Sequence, residues 1–177
     1  YVLHVIKQDT LQSENLSRLI AQLKTELKFC TKCHTISELD VCEICSNPAR
    51  DETTVCVVQD YRDILAIENT GLYKGHYHVL GGLISPIEGI TPSGLNIETL
   101  MSKLTSNAVT EIILALNATM EGETTSFYLF RKIAPYNIKL SAIARGIAVG
   151  DELEYADEVT LGRSIVNRIP FDTLLKK

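Results

Sequence analysis

Apolar residues recur at Leu16, Leu19, Ile20, Leu23 and Leu27. Steps of three and four predict an amphipathic helix, with Ser13 as N-cap and Glu14 in the first turn. The other face (Ser17, Arg18, Gln22, Lys24, Glu26) is polar, and the helix leads directly into Phe29 and Cys30, so it is expected to brace the cysteine-bearing module that follows. Upstream, Tyr1-Val2-Leu3-His4-Val5-Ile6 is an apolar run read as the last turns of an element whose beginning is missing. From residue 53 the pattern changes. Thr53-Thr54-Val55-Cys56-Val57-Val58 is β-branched and nearly continuous, as in a strand buried on both faces of a parallel sheet. A short helix over Arg62–Asn69 closes at Gly71, and a strand over His76–Leu80 ends at Gly81-Gly82. Residues 83–95 form a long Pro/Gly-punctuated loop, too apolar for solvent and expected to pack on something, a second subunit included. Asn96 caps a helix to Leu104, Glu111–Leu116 is a buried strand, Gly122–Ile133 a helix stopped before Pro135, and Ile138–Ala142 a further strand. Strand and helix thus alternate through 53–145, which predicts an α/β fold: an open parallel sheet with helices on both faces. Asp151–Tyr155 and Thr160–Arg168 read as short helices ending at Pro170, followed by the tail Phe171–Lys177.

Ahead of the sheet lies a segment that periodicity does not explain. Cys30-Thr31-Lys32-Cys33 and Cys42-Glu43-Ile44-Cys45 stand eight residues apart in a chain with five cysteines. A Cys-x-x-Cys turn points two thiolates at one spot, and two such turns make the tetrahedral four-sulfur cage that Zn2+ prefers. A pair of disulfides is the first alternative, disfavoured where thiols stay reduced. A redox Cys-x-x-Cys is the second, but it opens a helix after a strand and does not come doubled. A four-thiolate cage leaves no open position, so this metal would fold the chain and catalyse nothing. Residues 34–41 are too few and too polar to pack a core of their own. Cys56, inside the first strand, reads as a core residue, and His76 and His78 as core or turn histidines. Ser46-Asn47-Pro48 is a turn and Arg50-Asp51-Glu52 a charged linker. The chain therefore divides into a helical segment (1–28), a zinc module (29–50), the α/β domain (51–148) and a C-terminal helical segment (149–177).

Composition narrows the classes. A hydrophobic content of 45% with 22% charged residues over 177 positions suits one ordinary core plus an appendage. No apolar run approaches a membrane span and no secretory leader stands out, so a cytoplasmic setting is expected. The net charge of −5 argues against coating nucleic acid by charge alone.

In open α/β sheets ligands sit beyond the carboxyl ends of strands. There stand Gln59-Asp60-Tyr61-Arg62-Asp63 and Asn117-Ala118-Thr119-Met120-Glu121-Gly122-Glu123-Thr124. The second string resembles the Toprim signature, in which Asp-x-Asp precedes Glu-Gly-Glu and a glutamate ends the first strand. That resemblance implies a Mg2+ site in catalytic members, since phosphoryl transfer needs a hard cation on anionic oxygens. Here Gln59, Asn117 and Thr119 replace the three anionic ligands, while Glu121 and Glu123 sit at a helix N-terminus that favours carboxylates without metal.

A four-cysteine module directly before a degenerate Toprim domain is similar to the RecR family of bacterial recombination mediators. Tyr73–Leu80 with Ile84-Ser85-Pro86, and Gly150–Leu161, extend the likeness over essentially all residues. The resemblance implies a non-enzymatic DNA-repair adaptor, a homodimer or homotetramer closing into a ring or clamp. It implies partners RecO and RecF and the loading of recombinase onto single-stranded gaps, with the protein at the nucleoid during repair. The edge Gln59, Asp60, Asp63, Glu121 and Glu123 would dock the RecO-like partner. Asp157-Glu158 would be the family's Walker B-like stretch at the oligomer contact, here unaccompanied by any Gly-x-x-x-x-Gly-Lys-Ser/Thr loop and readable as a helix-start or interface acidic pair. Lys24, Lys28, Lys32, Arg62 and Arg131 are candidates for a DNA-facing surface, each by itself an ordinary solvated charge. Family members open with a helix-hairpin-helix domain, of which Tyr1–Ile6 would be the remainder, and they usually keep the glutamate replaced by Gln59. Two readings compete: a Mg2+-dependent Toprim phosphoryl-transfer enzyme, and a zinc-bearing interaction module without a DNA role.

Overall fold

The computed structural model describes residues 2–105, 108–148 and 150–170. They fall into two compact units, residues 1–141 and 142–177. The first opens with α1 (Val2–Lys7) and α2 (Thr10–Glu26). The N-cap of α2 is Asp9 rather than Ser13: its carboxylate accepts from the Gln12 amide at 2.8 Å, so the helix starts before the apolar stripe does. The stripe is helical as expected, but the described residues leave it uncovered. No residue of α2 is buried, and Leu16, Leu19, Ile20 and Leu23 lie open.

Next comes the cysteine segment, a two-stranded antiparallel hairpin of β1 (Lys28–Phe29) and β2 (Ile36–Ser37) followed by the single turn α3 (Glu43–Ser46). The α/β body follows as β3 (Asp51–Val58), α4 (Tyr61–Glu68), β4 (Gly75–Val79), α5 (Ile97–Leu104), β5 (Glu111–Ala115), α6 (Met120–Ile133) and β6 (Lys139–Ala142). The strand order is β4-β3-β5-β6, and β3 pairs in parallel with both β4 and β5. Parallel neighbours need crossovers, and the chain supplies them on opposite faces. Cys56 and Val58 pack with Ile64 of α4, whereas Val55 and Val57 pack with Leu100 and Leu104 of α5 and Leu129 and Ile133 of α6. Alternate residues of β3 thus feed two cores, which is why the strand reads as a continuous apolar run. The chain steps from β3 to β4, then returns past β3 to β5. The crevice between the carboxyl ends of β3 and β5 is therefore the switch point of the sheet.

Three local features differ from the sequence reading. The charged linker is part of the body: β3 begins at Asp51, and Arg50 is held by the Glu68 carboxylate, which also accepts from the Tyr77 hydroxyl at 2.7 Å. The apolar loop packs on its own domain. Leu83 and Ile84 are buried, the Ile84 amide donates to Thr125 Oγ1 at 2.8 Å, and Ser85 and Ile90 close the tip as an antiparallel bridge. In the second unit, Asp151–Tyr155 is reduced to a 3-10 turn at Leu153–Tyr155, and α7 spans Glu158–Val166. The tail Phe171–Lys177 lies outside the described residues.

Candidate metal centre and sheet-end crevice

The hairpin and α3 bring Cys30, Cys33, Cys42 and Cys45 together with their sulfurs all within 4.8 Å of one another, and all four are buried. The gap between Cys33 Sγ and Cys42 Sγ is 3.6 Å. Zinc at the centre of a sulfur tetrahedron with bonds near 2.3 Å requires sulfur separations of about 3.8 Å. Backbone amides already aim at the sulfurs: Cys42 N–H donates to Cys30 Sγ at 3.3 Å and Cys45 N–H to Cys42 Sγ at 3.4 Å. Burial pushes the Cys30 thiol up, but the amides of Cys42, Cys33 and Lys32 outweigh it and bring it down to about 7. Cys33 is driven well above the thiol range, chiefly by its bond to Cys45, and burial pushes Cys42 up to about 11. Four thiols this close cannot ionise together without a cation, and a divalent metal removes that conflict. The donor set fits structural Zn2+.

The first knuckle turns at His34, whose φ of 63° is uncommon for a residue with a Cβ. Its amide donates to Cys30 O at 2.9 Å, and its ring stands edge-on to His78 at 5.2 Å with Nε2 at 2.8 Å from Thr99 Oγ1. The Val79 amide donates to Cys33 O at 2.8 Å. The module thus takes one hydrogen bond from β4, the edge strand, while Ile44 of α3 packs against the core under α4. His78 is fully buried with Nε2 at 2.7 Å from Asn96 O. His34 was invisible in the sequence reading, because its partners lie 44 and 65 residues away.

At the switch point, Asn117 Nδ2 donates to Gln59 Oε1 at 2.9 Å, tying the end of β5 to the end of β3. Thr119 caps α6, its hydroxyl accepting from the Gly122 amide. Gly122 is required there, since a Cβ would fall 1.9 Å from Asn117 O. Asp60 caps α4 and is ion-paired with Arg62 at 2.5 Å, which holds its carboxyl below the usual range. Asp63 accepts from the amides of Gln59 at 3.1 Å and Asp60 at 3.0 Å. Glu121 and Glu123 stand in the first turn of α6. A Mg2+ site of the Toprim kind does not fit these residues: two of the three ligand positions are amides bonded to each other and the third is a capping hydroxyl. Among the described residues the four cysteines are the only cluster with metal-ligand geometry.

The remaining candidates are dispersed. Lys28 pairs with Asp40 at 2.9 Å, Arg131 lies over the Phe127 ring, and Lys24 and Lys32 are exposed. In the second unit Asp157 caps α7, accepting from the Thr160 amide at 2.8 Å, with Glu158 in the first turn. No described helix is long and apolar enough to cross a membrane.

Comparison with known families agrees with this anatomy. A model described as the RecR four-cysteine zinc finger domain matches residues 27–47, a Toprim domain model matches 53–144, and a RecR C-terminal model matches 146–169. The chain is 58% identical to a protein named Recombination protein RecR from Flavobacterium johnsoniae, over 99% of this chain and 85% of that one. It is 56% identical to the protein of the same name from Bacteroides thetaiotaomicron, over 96% and 83%.

Proposed function

The chain belongs to the RecR family of recombination proteins, and from that premise we propose that it is a non-enzymatic DNA-repair adaptor. It assembles into a ring or clamp, docks RecO- and RecF-like partners, and helps load recombinase onto single-stranded gaps in the cytoplasm, at the nucleoid. The observation that carries this reading is the Gln59–Asn117 bond: the crevice that holds Mg2+ in Toprim enzymes is closed by a neutral amide pair. Asp60, Asp63, Glu121 and Glu123 line the same sheet end as an acidic edge for a partner, and weak DNA contacts gain strength through multivalent assembly. The zinc module holds the hairpin against the sheet and takes no part in chemistry.

Fluorescence anisotropy on a labelled gapped duplex with Mg2+ tests it, with the chain alone and then with a RecO-type partner, at two salt concentrations. Weak binding that tightens with the partner and leaves the probe intact is expected. No binding in either case favours a bare interaction module, and a probe that shortens with time overturns the non-enzymatic reading.

A further inference from the structure

Where the zinc module meets α4, two adjoining hollows share Ile36 and Tyr61. One, of about 380 Å3, runs between the hairpin and α4 and is lined by Ile36, Leu39, Ile44, Tyr61, Ile64 and Leu65. Its charged lining residues are Glu38 and Glu43, with no cation among them. The other, of about 390 Å3, reaches past Phe29 to Asp60 at the crevice. Leu39 is 64% exposed, Leu65 56% and Phe29 70%, so apolar side chains from two separately folded elements stand open along one groove. Neither element needs them for its own core: the hairpin is held by its cysteines, and α4 buries Ile64. An apolar floor with an acidic rim selects for an apolar anchor flanked by positive charge.

We infer that this groove is a docking site for an amphipathic, basic segment of a partner protein, gripped jointly by the zinc module and α4. Apolar anchors of the segment cover Leu39, Tyr61 and Leu65, and its Lys or Arg residues meet Glu38 and Glu43. The groove continues into the Asp60 end of the crevice, so the inference rests on the partner reading given above and extends that surface onto the zinc module. The module then has a second role: besides covering the edge strand, it forms one wall of the interface.

The test uses the full chain with zinc bound, a purified RecO-type partner, and an 18-residue Leu/Lys amphipathic peptide with a Leu/Glu peptide of the same pattern as control. The variants are Leu39→Ser/Leu65→Ser and Glu38→Lys/Glu43→Lys, both at exposed positions, with zinc content and melting temperature confirming the fold. Loss of the two apolar anchors should weaken the partner about tenfold or more at any salt concentration. Charge reversal should weaken it several-fold at low salt and much less at high salt. If the wild type binds the partner and both variants bind it unchanged, the groove inference fails and the partner reading stands. If the wild type does not bind the partner, the partner reading fails and the peptides decide the groove. Preference for the Leu/Lys peptide, lost in both variants, supports it, and equal binding to wild type and variants overturns it. Conversion of an oligomer to monomers by Leu39→Ser/Leu65→Ser would place a second copy in the groove and also overturn it.

Discussion

Two places in this chain gather groups that can hold a cation, and they end in opposite conditions. In the zinc module four thiols converge on one another with backbone amides aimed at their sulfurs, an arrangement that favours thiolates. The mutual repulsion of those thiolates calls for a metal. In the sheet-end crevice the side chains at the ligand positions already have local partners. Gln59 is bonded to Asn117, Thr119 to the α6 amide, Asp60 to Arg62, and Asp63 to the start of α4. A strand-end crevice does not make a metal site by its position in the fold; converging anionic donors do.

The comparison breaks most visibly if one thiol is removed. Cys45→Ser is expected to release the zinc, because the metal's binding energy is the folding energy of a module too small for a core. With the knuckle undone, the Val79–Cys33 hydrogen bond and the Ile44 contact go as well, exposing the β4 edge. A loss of about 3 kcal/mol or more, roughly 10 °C in melting temperature, follows for a domain of this size. Zinc quantification alongside calorimetry checks it, and full zinc with an unchanged melting curve would refute the assignment.

The converse change restores charge to the crevice. Gln59→Glu/Asn117→Asp replaces a hydrogen bond by two facing carboxylates, at a cost of about 2 kcal/mol. Added Mg2+ should recover most of that loss in the variant and leave the wild type's melting temperature where it was. A wild type that gains several degrees on millimolar Mg2+ would mean that the crevice binds the ion despite its amides.

How much of this was legible before the structure depends on the range of the determining contacts. The cysteine cage and the strand ends were readable because spacing alone fixes them, and the β3 run announced its two-sided burial through residue type. The three lost Toprim ligands could be read from Gln59, Asn117 and Thr119, but not that two of them bond each other, which needs two strand ends 58 residues apart brought into one crevice. Arg50 looked like linker charge because its partner Glu68 is 18 residues on. The α2 stripe misled in the opposite direction: periodicity reports an apolar face, and says nothing of whether the same chain covers it.

The finest discrimination concerns the seam between the two regions, where His78 lies under the knuckle. Burial, with Lys103 and His34 nearby, presses its pKa down to about 3, while the contact to Asn96 O only partly offsets this. In the unfolded chain the ring titrates near 6.5. Between about pH 6.5 and pH 3 the unfolded state therefore binds a proton that the folded state refuses, so stability falls as pH falls through that window. From pH 7.5 to 5.5 this single group costs about 1.4 kcal/mol. His78→Phe removes the titration while keeping a ring in the seam, and both proteins retain the same cysteines, so thiolate protonation cancels in the difference. Urea unfolding at the two pH values, with zinc occupancy verified, should show the wild type losing about 1.4 kcal/mol more than the variant. Equal losses would mean that His78 takes up its proton within the fold, and that the seam between knuckle and sheet is open to water.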